Sequence, residues 1–312
     1  MVSLVLMAAI GLWQVAGPQQ QAAQANLPRA ETDPEGRQDK NGQDKKKKGK
    51  KKGQGQPSAA IGVVDRWEVP AVLREISGIA YLGPGRFACV QDEAGTIFIY
   101  NAVNSRLERQ IPFAGAGDYE GITLVGNTAY VINSSGNIYE IADLHSPTPK
   151  VQQFTTPLTG AQNVEGLCYD PKHHRLLVAP KGADPHGQDF KGIYAFDLTT
   201  RTMKLEPVFK IRRDDPVLGP DPTNKPRDRF QPSDIGVHPL TGEVYITDAV
   251  NTRLFLLAPD GKPKASYFLG GEPFSQPEGI TFSPKGEVFI SNEGKKQNGN
   301  ILQVQIDSSA AE

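Results

Sequence analysis

Ser275-Gln276-Pro277-Glu278-Gly279-Ile280, followed by Val288-Phe289-Ile290-Ser291-Asn292-Glu293, is the stretch on which the reading of this chain turns. Its kernel, a Glu-Gly pair ahead of a short apolar run, returns as Asp118-Tyr119-Glu120-Gly121-Ile122 and as Asn163-Val164-Glu165-Gly166-Leu167. Two weaker copies are Ile76-Ser77-Gly78-Ile79 and Gln231-Pro232-Ser233-Asp234-Ile235. Ser77 and Glu120 stand 43 residues apart, Glu120 and Glu165 45, and Ser233 and Glu278 45; only the step from Glu165 to Ser233, at 68, is longer. A period of this size, filled with several short strands, is the mark of a β-propeller.

Working outward, nearly every segment after Gly62 reads as a strand of a few residues bounded by turn residues. Four strands per period give five blades. The last blade, Gly279–Phe282, Glu287–Ser291 and Asn300–Ile306, lacks its outermost strand, and Val63–Val69 is left over at the other end. Placing that strand on the last blade closes the ring and covers an edge that would otherwise stay open. The expectation is an all-β, five-bladed propeller of four-stranded antiparallel blades over residues 61–308. The alternative is six blades, should the extra residues Lys181–Lys191 and Arg212–Phe230 disguise one more.

The 312 residues carry 34 basic and 35 acidic side chains, a net charge of -1. The first 60 hold ten basic and five acidic groups, so the remainder is mildly acidic, which argues against nucleic acid as a partner. Residues 1–25 read as a signal peptide or amino-terminal anchor. The apolar run Val2–Ala16 has the length of a signal core, and Ala23-Gln24-Ala25 offers a cleavage site, although no basic residue precedes the run. Residues 26–60, with Lys45–Lys48 and Lys50–Lys52, hold too little apolar surface to fold and read as a disordered lysine-rich linker, which could touch anionic lipid or envelope polymer. The expected location is extracytoplasmic, periplasmic or secreted, and the expected state is a monomer. Cys89 and Cys168 fall in apolar runs of separate blades and read as buried free thiols.

The innermost strand of a blade starts on the face where the second strand ends. Glu120, Glu165 and Glu278 should therefore converge at one mouth of the central channel. Asp92, Asn133, Asp248 and Asn292, just past the second strands, lie on the same side, and the third blade offers Lys181 there instead. Carboxylates crowded on an axis repel one another, so they must be hydrated, protonated, paired with a base such as Lys181 or bound to a cation. Oxygen ligands without a His or Cys cluster suit Ca²⁺, and these seven residues are the candidate metal set. The competing reading is that each glutamate caps backbone amides where blades meet, with the following glycine allowing close approach to the axis. No G-x-S-x-G, Walker or H-E-x-x-H motif occurs.

The order of these motifs resembles the SdiA-regulated (YjiK-like) family of bacterial extracytoplasmic propellers. The resemblance is carried by Ile76–Ile79, Asp118–Ile122, Val164–Pro171, Gln231–Ile235 and Ser275–Ile280 with Val288–Glu293, and it covers residues 60–306. It implies a propeller, with calcium as a candidate ion and no established enzymatic activity. The functional expectation is a non-catalytic exported propeller that binds a small molecule or protein on its channel face. The alternative is a calcium-dependent hydrolase of an ester, lactone or phosphate, which needs an open metal position beside a base.

Overall fold

A computed structural model describes residues 61–219 and 229–307. The expected signal segment and lysine-rich linker lie outside the described residues. Among the described residues no helix is long and apolar enough to cross a membrane.

Five antiparallel sheets surround one axis. Blade one holds β2 (Ile76–Gly83), β3 (Arg86–Gln91), β4 (Ala94–Asn101) and β5 (Arg106–Ala116). Blade two holds β6 (Tyr119–Val125), β7 (Thr128–Asn133), β8 (Ile138–Ala142) and β9 (Lys150–Phe154). Blade three begins with β10 (Val164–Asp170), β11 (Arg175–Pro180) and β12 (Phe190–Asp197). Blade four holds β15 (Asp234–Val237), β16 (Val244–Asp248), β17 (Arg253–Leu257) and β18 (Pro263–Phe268). Blade five holds β19 (Pro277–Phe282), β20 (Val288–Asn292) and β21 (Asn300–Ile306), and β1 (Ile61–Glu68) pairs antiparallel with β21 from Ile61↔Ile306 to Glu68↔Asn300. The ring therefore closes as the unpaired strand of the repeat pattern required.

Blade three departs from the pattern of a single outer strand. Two short pieces, β13 (Thr202–Met203) and β14 (Phe209–Arg212), pair with opposite ends of β12. Pro207 falls between them; with no N–H to give, proline cannot continue a ladder. The described parts of the two long insertions carry no further blade, so the count is five.

Hydrophobic side chains fill the spaces between blades, one cluster for each neighbouring pair. Ile97, Ile99 and Ile111 of blade one meet Ile122 and Val131 of blade two, and Phe87 and Tyr100 meet Phe289 and Ile301 across the closing seam. Alternation along each strand supplies one apolar face to each neighbour. Cys89 and Cys168 are buried free thiols in two different clusters. Burial pushes both thiols well above their ordinary pKa.

Candidate functional site: an acidic channel mouth

The first strands of the five blades pack on one another around the axis. They run in one direction, so residues at their starts gather at one mouth. There Glu120, Glu165 and Glu278 line a cavity of about 170 Å³ together with Asp92, which follows β3. Glu75 and Glu293 join them, and among the described residues Lys181 is the one cation on the wall. Six carboxylates thus face one ammonium.

Glu165 is only 4% exposed. Its Oε2 accepts from Lys181 Nζ at 2.9 Å and its Oε1 from Asn163 Nδ2 at 2.7 Å. Burial raises the Glu165 pKa and the Lys181 charge pulls it part of the way back; burial also works against the Lys181 ammonium, but the charge and hydrogen bond of Glu165 with the charges of Glu278 and Glu120 together outweigh it and that pKa rises. Glu278 Oε1 accepts from Gln276 Nε2 at 2.8 Å, and the same amide reaches Glu293. Among the described residues Glu120 forms no ion pair, although its charge reaches Lys181. Burial raises its pKa far above the ordinary carboxylate range, and the charges of Glu165, Asp118 and Glu278 add to the rise. Asp92 and Glu293 are raised for the same two reasons, burial first and then neighbouring carboxylates. Asp92 Oδ1 is enclosed and accepts no hydrogen bond.

The loop that delivers Lys181 is held from beneath. Lys191 is fully buried, and its ammonium donates to the carbonyls of Lys181, at 2.8 Å, and Gly182. Burial, with the Arg213 charge beside it, lowers the Lys191 pKa to about 8. Asp184 accepts from Gly192 N at 2.6 Å and from the Tyr194 hydroxyl, which fixes the rest of the loop against β12. In the sequence, a lysine and an aspartate within one otherwise polar insertion give no sign that both are buried.

The other three candidates do not line the cavity. Asn133 Oδ1 accepts from Asn137 N at 2.9 Å within the β7–β8 turn. Asp248, raised to about 6 by burial, accepts from Gln231 N, Asn251 N and Asn251 Nδ2, each at 2.8 Å. Asn292 Nδ2 donates to Asn300 Oδ1 at 3.0 Å, while its own Oδ1 is buried and accepts nothing. These side chains close the turns that follow the second strands, the ordinary local use of Asn and Asp.

Below the glutamates the blades touch most closely. A Cβ on Gly78 would lie 2.7 Å from the Glu120 carbonyl oxygen, and one on Gly121 would lie 2.8 Å from that of Glu165. Blade four has Asp234 where the other blades have glycine. Its side chain crosses the junction in both directions, Oδ1 accepting from Leu167 N at 3.1 Å and Oδ2 from Ile280 N at 2.8 Å. Inter-blade amides are thus taken by Asp234, and the partners of Glu165 and Glu278 are side chains. Burial raises the Asp234 pKa, against the pull of the amides it accepts from.

The donor chemistry of the mouth, oxygen only with one orphaned Asp92 oxygen, fits a hard cation. Among the described residues, however, no group of three or more His, Cys, Asp or Glu side chains is arranged to hold one metal ion as it stands.

No family model matches the chain, and no curated protein is similar to it in sequence. Solved structures are similar in shape. The glutaminyl cyclase of Myxococcus xanthus is 14% identical with a TM-score of 0.53, the match covering 79% of this chain and 96% of that one. A protein of unknown function from Bacteroides thetaiotaomicron is 13% identical with a TM-score of 0.47 over 75% of this chain, which spans 55% of that protein's length. The PQQ-bound aldose sugar dehydrogenase of Streptomyces coelicolor is 15% identical with a TM-score of 0.46, covering 79% and 98%. The likeness is one of fold.

Proposed function

We propose that this chain is an exported, non-catalytic propeller of the SdiA-regulated type that binds a cationic group of a small molecule or protein partner in its acidic channel mouth. The observation that carries the reading is the imbalance of six carboxylates against Lys181 around one cavity. Such a cluster holds several protons or a foreign cation at neutral pH, and the raised pKa values of Glu120 and Glu165 express that demand. At about 170 Å³ the cavity is smaller than the few hundred cubic ångströms typical of a site for a whole drug-sized ligand. It suits one head group, an ammonium or guanidinium with its own donors, or a partly hydrated Ca²⁺. If calcium binds, Glu120, Glu278 and Asp92 would hold it, and its charge would replace the protons. Resemblance in motif order supports the family and the extracytoplasmic location, and the lysine-rich linker is assigned to envelope contact by its charge. A monomer is assumed.

Calorimetric titration of the chelator-treated full chain with CaCl₂ and, in parallel, with arginine amide tests the reading. Saturable binding of either, lost in Glu120→Gln/Glu165→Gln/Glu278→Gln, is expected. Heat from neither overturns it. Turnover of an ester or phosphomonoester panel that disappears in Glu120→Gln would replace the binding role with a hydrolase.

A further inference from the structure

At the far end of the same five strands lies a second cavity, of about 380 Å³, with no charged residue on its wall. Its apolar lining includes Ile122, Leu124, Val237, Ile280 and Phe282. Nothing assigned to the acidic mouth reaches it.

A ring of backbone amides surrounds this cavity, and the blades satisfy it unequally. Tyr81 N of blade one donates to Thr281 Oγ1 of blade five at 3.1 Å, and Tyr169 N of blade three donates to Thr123 Oγ1 of blade two at 3.1 Å. The Cys168 sulfur of blade three takes the same place beside Val237 N of blade four. Each acceptor occupies the third position of its blade's first strand counted from the axial glycine inclusive, and each donor is the next residue along in the following blade. The same position is Ala80 in blade one and Gly236 in blade four. Neither side chain can accept, so the two remaining amides of the ring, Leu124 N and Phe282 N, receive no such partner from their neighbours. Thr123 and Thr281 accept with their oxygens, which leaves their hydroxyl protons to donate.

We infer that this cavity is a second binding site, for a neutral, mostly apolar molecule that carries a carbonyl-type acceptor. The volume falls within the range of small-molecule sites. The wall supplies apolar surface and hydrogen-bond donors without a cation, so a carbonyl is matched and an anion is not. Leu124 and Phe282 are half-buried, so a ligand that brings an acceptor into this apolar wall replaces water as the partner of their amides. The inference does not depend on what the acidic mouth binds.

The environment-sensitive probe Prodan, a neutral naphthalene bearing a ketone, tests it on the full chain. Saturable, blue-shifted binding at one site per chain is expected. The anionic probe 1-anilinonaphthalene-8-sulfonate should bind at least tenfold more weakly. Ala80→Thr gives blade one the acceptor that blades two and five already use; it should keep or raise the melting temperature and weaken Prodan at least fivefold. Leu124→Trp, at a half-buried position on the wall, fills the space and should abolish binding in a chain that still melts cooperatively. Binding of Prodan that neither variant alters, or equal binding of the sulfonate, overturns the inference. Excess CaCl₂ should leave the titration unchanged, which separates this site from the acidic mouth.

Discussion

Glu120 and Leu124 are four residues apart on one strand, yet they face two sites of opposite chemistry. At the start of the five inner strands, carboxylates crowd together and the pKa values of Glu120 and Glu165 are raised by burial and mutual repulsion. At their ends the wall carries no charge, and the energetic question is which backbone amide has an acceptor. Between them stand four glycines and Asp234. A strand about 20 Å long thus carries an electrostatic site and a hydrogen-bonding site without mixing them. The difference predicts that substitutions at the first mouth should depend on pH, and substitutions at the second should not.

The largest effect belongs to the junction itself. Asp234→Ala leaves the buried amides of Leu167 and Ile280 without their acceptor, and about 3 kcal/mol of stability should be lost in urea unfolding. Asp234→Asn, which keeps one acceptor oxygen, should lose less. A loss below about 1 kcal/mol for Asp234→Ala would mean that the junction does not hold the two mouths apart.

Lys181→Met comes next. It strips Glu165 of its ammonium partner, and about 2 kcal/mol should be lost at pH 9, above the Glu165 pKa of about 8. The loss should shrink as pH falls and Glu165 takes up a proton, and Lys181→Met/Glu165→Gln should recover most of it. Thr281→Val, at the other mouth, removes the acceptor of Tyr81 N and should cost about 1 kcal/mol, equally at pH 5 and pH 8. A pH-dependent Thr281→Val would break the comparison.

The smallest effect is stabilising. The Glu120 pKa is higher in the fold than in the unfolded chain, so the native state holds the extra proton. Its contribution is complete below the unfolded value of about 4.3 and is lost as pH rises through the raised native value. Glu120→Gln should therefore raise the melting temperature by a few degrees near neutral pH and flatten the profile across that window. Unchanged melting at pH 5 and pH 8 would show that Glu120 is already matched by a bound cation.

How much of this could be read from the residues alone differs between the two ends. Glu120, Glu165 and Glu278 announce themselves because a charged residue recurs at a fixed period, and the same period sets the blade count. The fate of Asn133, Asp248 and Asn292 was not legible in the same way, since a side chain after a strand can turn toward the axis or close its own turn, and sequence position is the same for both. Asp234 was visible as a departure from Glu-Gly, but its bridging role depends on how closely neighbouring strands approach. The uncharged cavity left no signal, because Ile122, Leu124, Val237, Ile280 and Phe282 each read as ordinary core residues. Only the register of five strands shows that Ala80 and Gly236 stand where an acceptor is needed.

The pairing of Ile61 with Ile306 has a consequence in time. During synthesis the strand from Ile61 to Glu68 leaves the ribosome well before the strand that covers its edge, and every other blade can form in between. Local hairpins can assemble early, while the last interface waits for a contact that spans almost the whole described chain, the kind that slows folding most. Until then the nascent protein exposes one unpaired edge of Ile61–Glu68 and half of the apolar cluster around Phe87 and Phe289. That interval is when this chain is most open to pairing with a neighbour instead of with itself.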